Sequence, residues 1–277
     1  MEDKRFALLI DAENISGKYI KIIMDEITNE GSVTYKRIYG DWTSPYLKRW
    51  KDVLLENSIT PMQQYSYTTN KSSTDSAMII DAMDILYSGK VEGFCLVSSD
   101  SDFTKLASRL REAGMIVIGM GKQHTPRAFV SACNQFKYID LISQEETLEE
   151  ESPQPVKNSV KKQKGKKAQS NAPLSLTPED ELKQAIARMI DDNSDNNGWM
   201  LVGSLGSLLK KRYSDFDTRN YGYNKMIQLL EGFGFEIQYS KDPKTNENSS
   251  VVYVRNPHPP AQKRQGRKGG NSPKNAS

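Results

Sequence analysis

Four aspartates stand where apolar segments of the chain give way to polar ones, and their carboxylates could bind a divalent cation. Asp11 closes the apolar run FALLI, and Asp100 and Asp102 follow the run GFCLV with one residue between them. Asp75 lies at the start of the helix-like segment STDSAMIIDAMDIL. Converging carboxylates stay ionised only if positive charge lies among them, and Mg²⁺ and Mn²⁺ prefer oxygen ligands. We therefore expect these four residues to hold Mg²⁺ or Mn²⁺, with Asn14 orienting a ligand. Such an ion would activate a water for attack on a phosphodiester.

The elements predicted around these residues explain how they could meet. Residues 5–142 alternate short apolar strands with helical segments, which is typical of βαβ units and a parallel sheet. In an open parallel sheet, ligands bind outside the carboxyl ends of the strands, where the helices also begin. The aspartates follow predicted strands or, for Asp75, open a predicted helix. The predicted strands are 6–10, 32–40, 61–67, 93–99, 115–121 and 137–142, and the predicted helices are 16–31, 45–58, 73–89 and 101–114.

Each acidic residue also has a simpler explanation. An aspartate after a strand often closes a turn or caps the next helix. Asp11 could do either, Asp75 and Asp102 could cap helices, and Asp100 could be a turn residue. Asp81 and Asp84 lie on other faces of their predicted helix, where solvent exposure or a supporting position is expected. Asp41 also ends a strand, nearer the sheet edge, and its role stays open. Ser98 and Ser99 are candidates for supporting the acidic residues.

Basic residues offer candidate contacts with nucleic acid. For every one of them a solvated surface is the competing interpretation, and cations at a helix end also favour the helix dipole. The candidates are Lys71, Lys122 and Arg127 in loops near the acidic edge, and Lys210, Lys211 and Arg212 at the end of a later helix.

The charge distribution indicates two globular domains and two basic segments. Residues 1–147 carry 17 lysines and arginines against 20 acidic residues, whereas the remainder carries 21 against 15. The basic excess lies mostly in residues 156–172 and 254–277, which predicts disorder and either a solubilising role or loose attachment to nucleic acid. The predicted boundaries are a first domain at 1–147, a linker at 148–173, a second domain at 174–256 and a tail at 257–277.

Several classes of protein are disfavoured. No G-x-G-x-x-G follows the first strand, and residues 119–123 lack the P-loop spacing. The two cysteines form no C-x-x-C, and Cys95 is expected to be a buried thiol. No stretch reaches the roughly 18–20 apolar residues of a membrane span, and the N-terminus lacks the features of a secretory signal. We expect a cytoplasmic protein without a membrane partner.

The second domain has the pattern of a winged helix. Thr177 and Pro178 open a helix with acidic residues in its first turn. The strands FEIQYS and VVYVRN form a predicted hairpin. Three helices, at 178–191, 203–213 and 222–232, are predicted before this hairpin. The helices and the hairpin together predict a small α+β winged-helix domain.

The first domain resembles the NYN domains of the PIN-like nuclease superfamily, in the LabA-like branch. The motifs are LLIDAEN (8–14), YGDW (39–42), STDSAMIIDAMDIL (73–86) and LVSSDSDFTKLASRLREAGMIVIGMG (96–121). The resemblance implies a PIN-like Rossmannoid α/β fold, with a parallel sheet flanked by helices, and RNA cleavage at a divalent metal. It assigns Asp11, Asp75, Asp100 and Asp102 as metal-binding catalytic residues and Asn14 as their polar partner. Ala12 and Glu13 depart from the usual Asp-Gly-x-Asn motif, a mild change that leaves the site intact.

Residues 198–240 resemble an OST-HTH domain, also called LOTUS. The matching features are Leu205-Gly206, the Phe216 region, Tyr221-Gly222 and Phe235-Glu236. Such modules are linked with RNA binding, and some relatives bind proteins instead. Residues 174–253 carry nine basic and twelve acidic residues, so the domain is not a strongly basic reader.

Two functions of different classes follow. The first is a metal-dependent endoribonuclease that acts on single-stranded RNA, with the second domain and the basic segments supplying affinity. The second is a catalytically silent adaptor that binds RNA or a protein partner in RNA regulation. Within the enzyme class, a DNA-directed or structure-specific nuclease is a further alternative.

Overall fold

The chain folds into an α/β domain followed by a smaller domain in the computed structural model, which describes residues 3–65, 73–150, 177–241 and 250–257. The strands of the first domain are β1 (Arg5–Asp11), β2 (Ser32–Gly40), β3 (Thr60–Gln63), β4 (Gly93–Val97), β5 (Ile116–Gly121) and β6 (Gln135–Tyr138). Its helices are α1 (Ile20–Thr28), α2 (Trp50–Glu56), α3 (Ser73–Ser88), α4 (Thr104–Glu112), α5 (Arg127–Ala132) and α6 (Ile139–Glu150).

The six strands of the first domain form one parallel sheet in the order β3-β2-β1-β4-β5-β6. The chain winds from β1 out to β3 and then from β4 out to β6, so the winding reverses between the central strands β1 and β4. Both strands are buried along almost their whole length because helices cover both faces of the sheet. Leu8 and Ile10 pack on the side of α1, α2 and α6, whereas Leu9 packs on the side of α3, α4 and α5. The predicted parallel α/β fold is confirmed.

The last predicted strand of this domain is wrong in its extent. The sequence predicts a strand over 137–142, but β6 ends at Tyr138 and α6 begins at Ile139. Ile139 and Ile142 both enter the core, and a spacing of three residues is helical rather than alternating. The helix α5 was not predicted, because its six residues are too few to show a helical period. The helix α6 continues past the predicted boundary at residue 147, and the predicted third strand (61–67) reaches beyond the described residues.

The second domain combines three helices with a three-stranded antiparallel sheet in the order β7-β9-β8. The predicted hairpin is confirmed, although its loop, residues 242–249, lies outside the described part. The predicted helix over 222–232 is shorter, because a 3₁₀ turn, Thr218–Tyr221, ends at Gly222 with a φ of 76°. The elements are α7 (Glu179–Asn193), β7 (Met200–Leu201), α8 (Val202–Arg212), α9 (Met226–Gly232), β8 (Glu236–Lys241) and β9 (Ser250–Arg255).

The second domain docks on the outer edge of β6. The Phe136 amide donates a hydrogen bond of 2.7 Å to the carbonyl of Ser214, in the loop that follows α8. The Ser214 hydroxyl donates a bond of 2.9 Å to the carbonyl of Val130. An edge strand otherwise presents unpaired backbone groups, so the loop covers an edge that would be open to other chains.

A largely buried ionic network holds the two domains together. Lys137 Nζ lies 2.8 Å from Glu26 Oε2 and 2.8 Å from Glu30 Oε1, all in the first domain. Arg219 of the second domain lies 2.8 Å from Glu26 Oε1 and 2.7 Å from Asp217 Oδ2. Burial alone would raise the pKa of Glu26, but hydrogen bonds from Arg219 and Lys137 lower it below its ordinary value. The network therefore stabilises the charged forms of the residues on both sides of the interface.

Both cysteines are free and buried. Cys95 lies in β4, as predicted, and burial raises the pKa of both thiols, that of Cys133 to about 12. Thiolate chemistry is therefore disfavoured at either position. Among the residues described, no helix combines the length and apolar character that a membrane span requires.

Candidate metal centre

Three carboxylates converge at the carboxyl edge of the sheet. Asp75, Asp100 and Asp102 each offer an oxygen that lies within 4.8 Å of those of the other two. Asp75 comes from the first turn of α3, and the other two come from the segment that joins β4 to α4. The helix start and the strand end share one edge, so residues distant in sequence meet in space.

The segment after β4 is shaped by a helix cap. Asp100 has an extended backbone and precedes the 3₁₀ turn Ser101–Phe103, which continues into α4. Its Oδ1 accepts a hydrogen bond of 2.9 Å from the Asp102 amide. The cap is therefore Asp100, whereas the alternative considered from the sequence placed it at Asp102. The cap involves one carboxylate oxygen of Asp100, so capping and metal binding are compatible.

Asp11 ends β1 but lies outside this group of three, and only 1% of it is exposed. Its oxygens accept bonds from the amides of Glu13 (3.0 Å) and Asn14 (3.3 Å), from Asn14 Nδ2 (2.7 Å) and from the Ser98 hydroxyl (2.8 Å). Burial raises the pKa of Asp11, although the bonds from Ser98 and Asn14 oppose this. Four donors match the acceptor capacity of a carboxylate, so direct metal binding requires one donor to be replaced. That Asp11 binds metal stays a prediction.

Two buried serines connect Asp11 to the rest of the edge. Ser98 Oγ donates to Asp11 and accepts a bond of 3.0 Å from the amide of Asp100. Ser99 Oγ accepts a bond of 2.9 Å from the amide of Lys122, whose Nζ donates to the carbonyl of Asn14 at 3.2 Å. One network of hydrogen bonds thus fixes the loops after β1, β4 and β5 relative to one another.

The sequence interpretation missed two residues beside the cluster. The hydroxyl of Thr74, which is 3% exposed, donates a bond of 3.0 Å to Glu13 Oε1. This contact ties the loop after β1 to the start of α3, next to Asp75. Glu13 stands between Asp11 and Asn14 in the sequence, which could have indicated that it lies near the acidic edge. The sequence interpretation treated it only as a departure from the motif.

Other acidic candidates have local roles. Asp81 accepts hydrogen bonds from Arg37 and from the Tyr39 hydroxyl, and burial and Asp81 together raise the pKa of Tyr39. Asp41 accepts bonds from the amide and hydroxyl of Thr43 and from a nearby glutamine, which stabilise a turn. Asp84 is exposed on α3. None of these three belongs to the group of converging carboxylates.

The predicted basic contacts separate into different environments. Lys122 lies at the acidic edge through its bonds to Ser99 and Asn14. Arg127 lies 3.5 Å from Asp215 of the second domain and thus takes part in docking. Lys71 lies outside the described residues. Lys210, Lys211 and Arg212 are exposed in the last turn of α8.

The donor set suits a hard divalent cation. The three converging groups are all carboxylates, without histidine or cysteine, and such oxygen ligands are preferred by Mg²⁺ and Mn²⁺ rather than by zinc. Three negative charges within 4.8 Å of one another repel unless a cation compensates them. The residues present therefore fit a divalent metal site.

The parallel sheet with its winding reversal and acidic edge places the first domain in the class of PIN-like α/β domains. The NYN domain family matches residues 5–141, and the OST-HTH/LOTUS domain family matches residues 176–246. The chain therefore belongs to the proteins that carry an NYN domain, which is a PIN-like nuclease domain, together with an OST-HTH/LOTUS domain, which is an RNA-binding module.

The chain is also similar to two individual proteins. The uncharacterized protein MJ0482 of Methanocaldococcus jannaschii is 26% identical over 153 residues, which are 54% of this chain and 60% of that protein. The chain thus spans 60% of the length of this relative. The crystal structure of a protein of unknown function, VPA0982 from Vibrio parahaemolyticus, is 19% identical, covers 50% of this chain and 94% of its own, and has a TM-score of 0.43.

Proposed function

We propose that the protein is a divalent-metal-dependent endoribonuclease whose centre is built on Asp75, Asp100 and Asp102. The observation that carries this proposal is the convergence of three carboxylates within 4.8 Å at the winding reversal of an NYN-domain sheet. These residues would hold Mg²⁺ or Mn²⁺, which supplies Lewis acidity toward a phosphodiester when bound. The OST-HTH/LOTUS domain supports RNA rather than DNA as the substrate.

The remaining residues of the edge would position this centre. Two hydrogen bonds hold Asp100 in place without substrate. Its amide donates to Ser98 Oγ, and its Oδ1 accepts from the Asp102 amide. A preorganised site needs such support. Asp11 and Asn14 would hold the neighbouring loop in place, and Asp11 would become a further ligand if a metal replaced one of its donors. Lys122 places a positive charge beside the acidic edge and would attract the phosphate.

The direct test is cleavage of labelled RNA and DNA by the purified chain with Mg²⁺, Mn²⁺ or EDTA. Asp100→Asn should reduce RNA cleavage at least about a hundredfold, on the scale of a lost catalytic electrostatic group. The asparagine retains an oxygen that can accept the bond from the Asp102 amide, so the fold should persist. Asp84→Asn removes the same charge from an exposed position outside the group and should cleave like the unmodified chain.

The outcomes separate the enzyme from its alternative. Full activity of Asp100→Asn, or cleavage that continues in EDTA, would refute the metal centre. RNA binding without cleavage in any metal would favour the adaptor function, in which the first domain is catalytically silent. Preferential cutting of DNA would keep the centre and change the substrate.

A further inference from the structure

A cleft of about 760 Å³ opens between the loop after β1 and the turn before α2. We propose that this cleft binds one unpaired nucleotide of an RNA strand, next to the phosphate that lies at the acidic edge. The inference rests on the proposed ribonuclease function and adds the surface and strandedness of its substrate. The residues used in the argument are Asn14, Gly17, Tyr46, Arg49, Trp50 and Lys122, all of which line the cleft.

The cleft adjoins the loops that support the candidate metal centre, although the three carboxylates themselves do not line it. Asn14 forms part of its wall and also donates a bond of 2.7 Å to Asp11. Lys122 forms another part and is bonded through its amide to Ser99, directly before Asp100. A strand with its phosphate at the three carboxylates therefore places an adjacent nucleotide in this cleft.

The charge of the surface changes along this path. The edge itself carries the three carboxylates, whereas the cleft contributes two cations, Lys122 and Arg49, against one carboxylate, Glu13, which accepts a hydrogen bond from Thr74. The Lys122 ammonium is held 3.2 Å from the carbonyl of Asn14, which fixes a positive charge at the boundary between edge and cleft. Cations in such a position neutralise backbone phosphates on either side of a bound nucleotide.

The aromatic residues of the cleft provide a surface for a base. Tyr46 is 89% exposed, so its ring is available to a ligand, whereas Trp50 is only 2% exposed and forms part of the supporting wall. Gly17 in the loop after β1 lies against this wall, since a Cβ built on it would be in van der Waals contact with the Trp50 indole, at 3.4 Å. An exposed aromatic ring beside cations is the arrangement on which proteins stack unpaired bases.

The size and the stacking surface argue for a single strand. A cleft of about 760 Å³ falls in the range of small-ligand sites and cannot enclose a double helix. In a duplex the faces of the bases are covered by their neighbours, so a base must be unpaired to stack on Tyr46.

The test uses the full chain in Ca²⁺, an oxygen-binding cation that compensates the carboxylates, with a short oligoribonucleotide that contains 2-aminopurine, whose fluorescence falls when the base stacks. The unmodified chain should quench this fluorescence with the single strand and not with the corresponding duplex. Tyr46→Ala should abolish the quenching and weaken RNA binding about tenfold, since stacking on one aromatic ring gives effects of roughly this size. Tyr46→Phe retains the ring and should retain the quenching.

Tyr87→Ala is the matched control, because Tyr87 is another tyrosine that is 74% exposed. It lies 12 residues beyond Asp75 along α3, about 18 Å from the acidic edge by the rise of a helix. This variant should quench and bind like the unmodified chain.

The result distinguishes the cleft from the proposed function. Quenching that persists in Tyr46→Ala, that is equal for the duplex, or that is absent from the unmodified chain would overturn the nucleotide cleft. RNA cleavage by that same chain in Mg²⁺ or Mn²⁺ would still leave the ribonuclease standing. Conversely, Tyr46-dependent quenching without cleavage in any metal would retain the cleft and refute the enzyme.

Discussion

Arg219→Ala measures how firmly the second domain is docked on the first. The Arg219 guanidinium lies 2.8 Å from Glu26 Oε1 across the interface, with 27% of the arginine side chain and 11% of the glutamate side chain exposed. A hydrogen bond to a charged group contributes about 1.5–3 kcal/mol, and removing one partner of a fully buried pair costs about 3–5 kcal/mol. Because Arg219 is partly solvated and Glu26 keeps Lys137, we expect about 2 kcal/mol. The ratio of docked to undocked chains should then fall about thirtyfold.

The Phe136 amide reports this equilibrium because it donates its hydrogen bond to Ser214 across the interface. Hydrogen exchange of a peptide that contains Phe136 should accelerate about thirtyfold in Arg219→Ala if exchange follows undocking. Arg212→Ala is the matched control, since Arg212 is an exposed arginine of the same domain that contacts the ring of Tyr213. In Arg212→Ala, hydrogen exchange of the peptide that contains Phe136 should equal that of the unmodified chain.

Two results would refute this reasoning. Exchange at Phe136 that is unchanged in Arg219→Ala would show that the ionic network does not hold the docked state. Equal acceleration in Arg212→Ala would show that the amide reports general loosening of the second domain rather than the cross-domain bond.

Two further predictions concern the edge and the interface. Ser98→Ala removes the hydroxyl that donates to Asp11 and accepts from the Asp100 amide. The free energy of unfolding should therefore fall by about 2–3 kcal/mol, and RNA cleavage should decline. An unchanged urea denaturation curve would contradict this prediction. Because the hydrogen bond from Arg219 in the docked state lowers the pKa of Glu26, docking should be complete above its ordinary value of 4.5 and weaken as the pH falls through the lowered value, whereas the raised pKa of Asp215 opposes this loss. Small-angle scattering at decreasing pH checks this prediction, and docking that strengthens with acid would refute the assignment.

Topology made the convergence of Asp75 with Asp100 and Asp102 predictable, although the same reasoning also included Asp11, which lies outside the group. Alternating strands and helices indicate a parallel sheet, and a parallel sheet brings strand ends and helix starts to one edge. The alternatives of a cap at Asp102 and a turn at Asp100 did not compete with this convergence, since Asp100 itself forms the cap and its carboxylate still lies in the group.

The environment of Asp11 could not be predicted in the same way. The parallel register pairs Ile10 with Val97, which brings Asp11 beside Ser98, and this register depends on packing between strands far apart in sequence. The same serine could have faced solvent if the strands had paired one residue out of step. The sequence therefore marked Ser98 as a supporting candidate without showing which residue it supports.

The interface had no local signal at all. Glu26, Lys137 and Arg219 come from a helix, a strand and a turn, and each is an ordinary charged residue within its own segment. Their pairing appears only when the second domain covers the edge of β6. For the same reason Arg127 was predicted as a nucleic-acid contact, whereas its guanidinium lies 3.5 Å from the buried carboxylate of Asp215.

The order of the strands relates the docked domain to the proposed path of RNA. The cleft with Tyr46 lies at the loops after β1 and β2, two of the three carboxylates follow β4, and the second domain docks on β6. The sheet order β2-β1-β4-β5-β6 places the acidic edge between the other two surfaces, with about 4.8 Å for each step between strands. An RNA strand that bound both the second domain and the proposed cleft would therefore pass the acidic edge. Docking fixes the order of the cleft, the acidic edge and the second domain. A linker between the two domains would not define this order by itself.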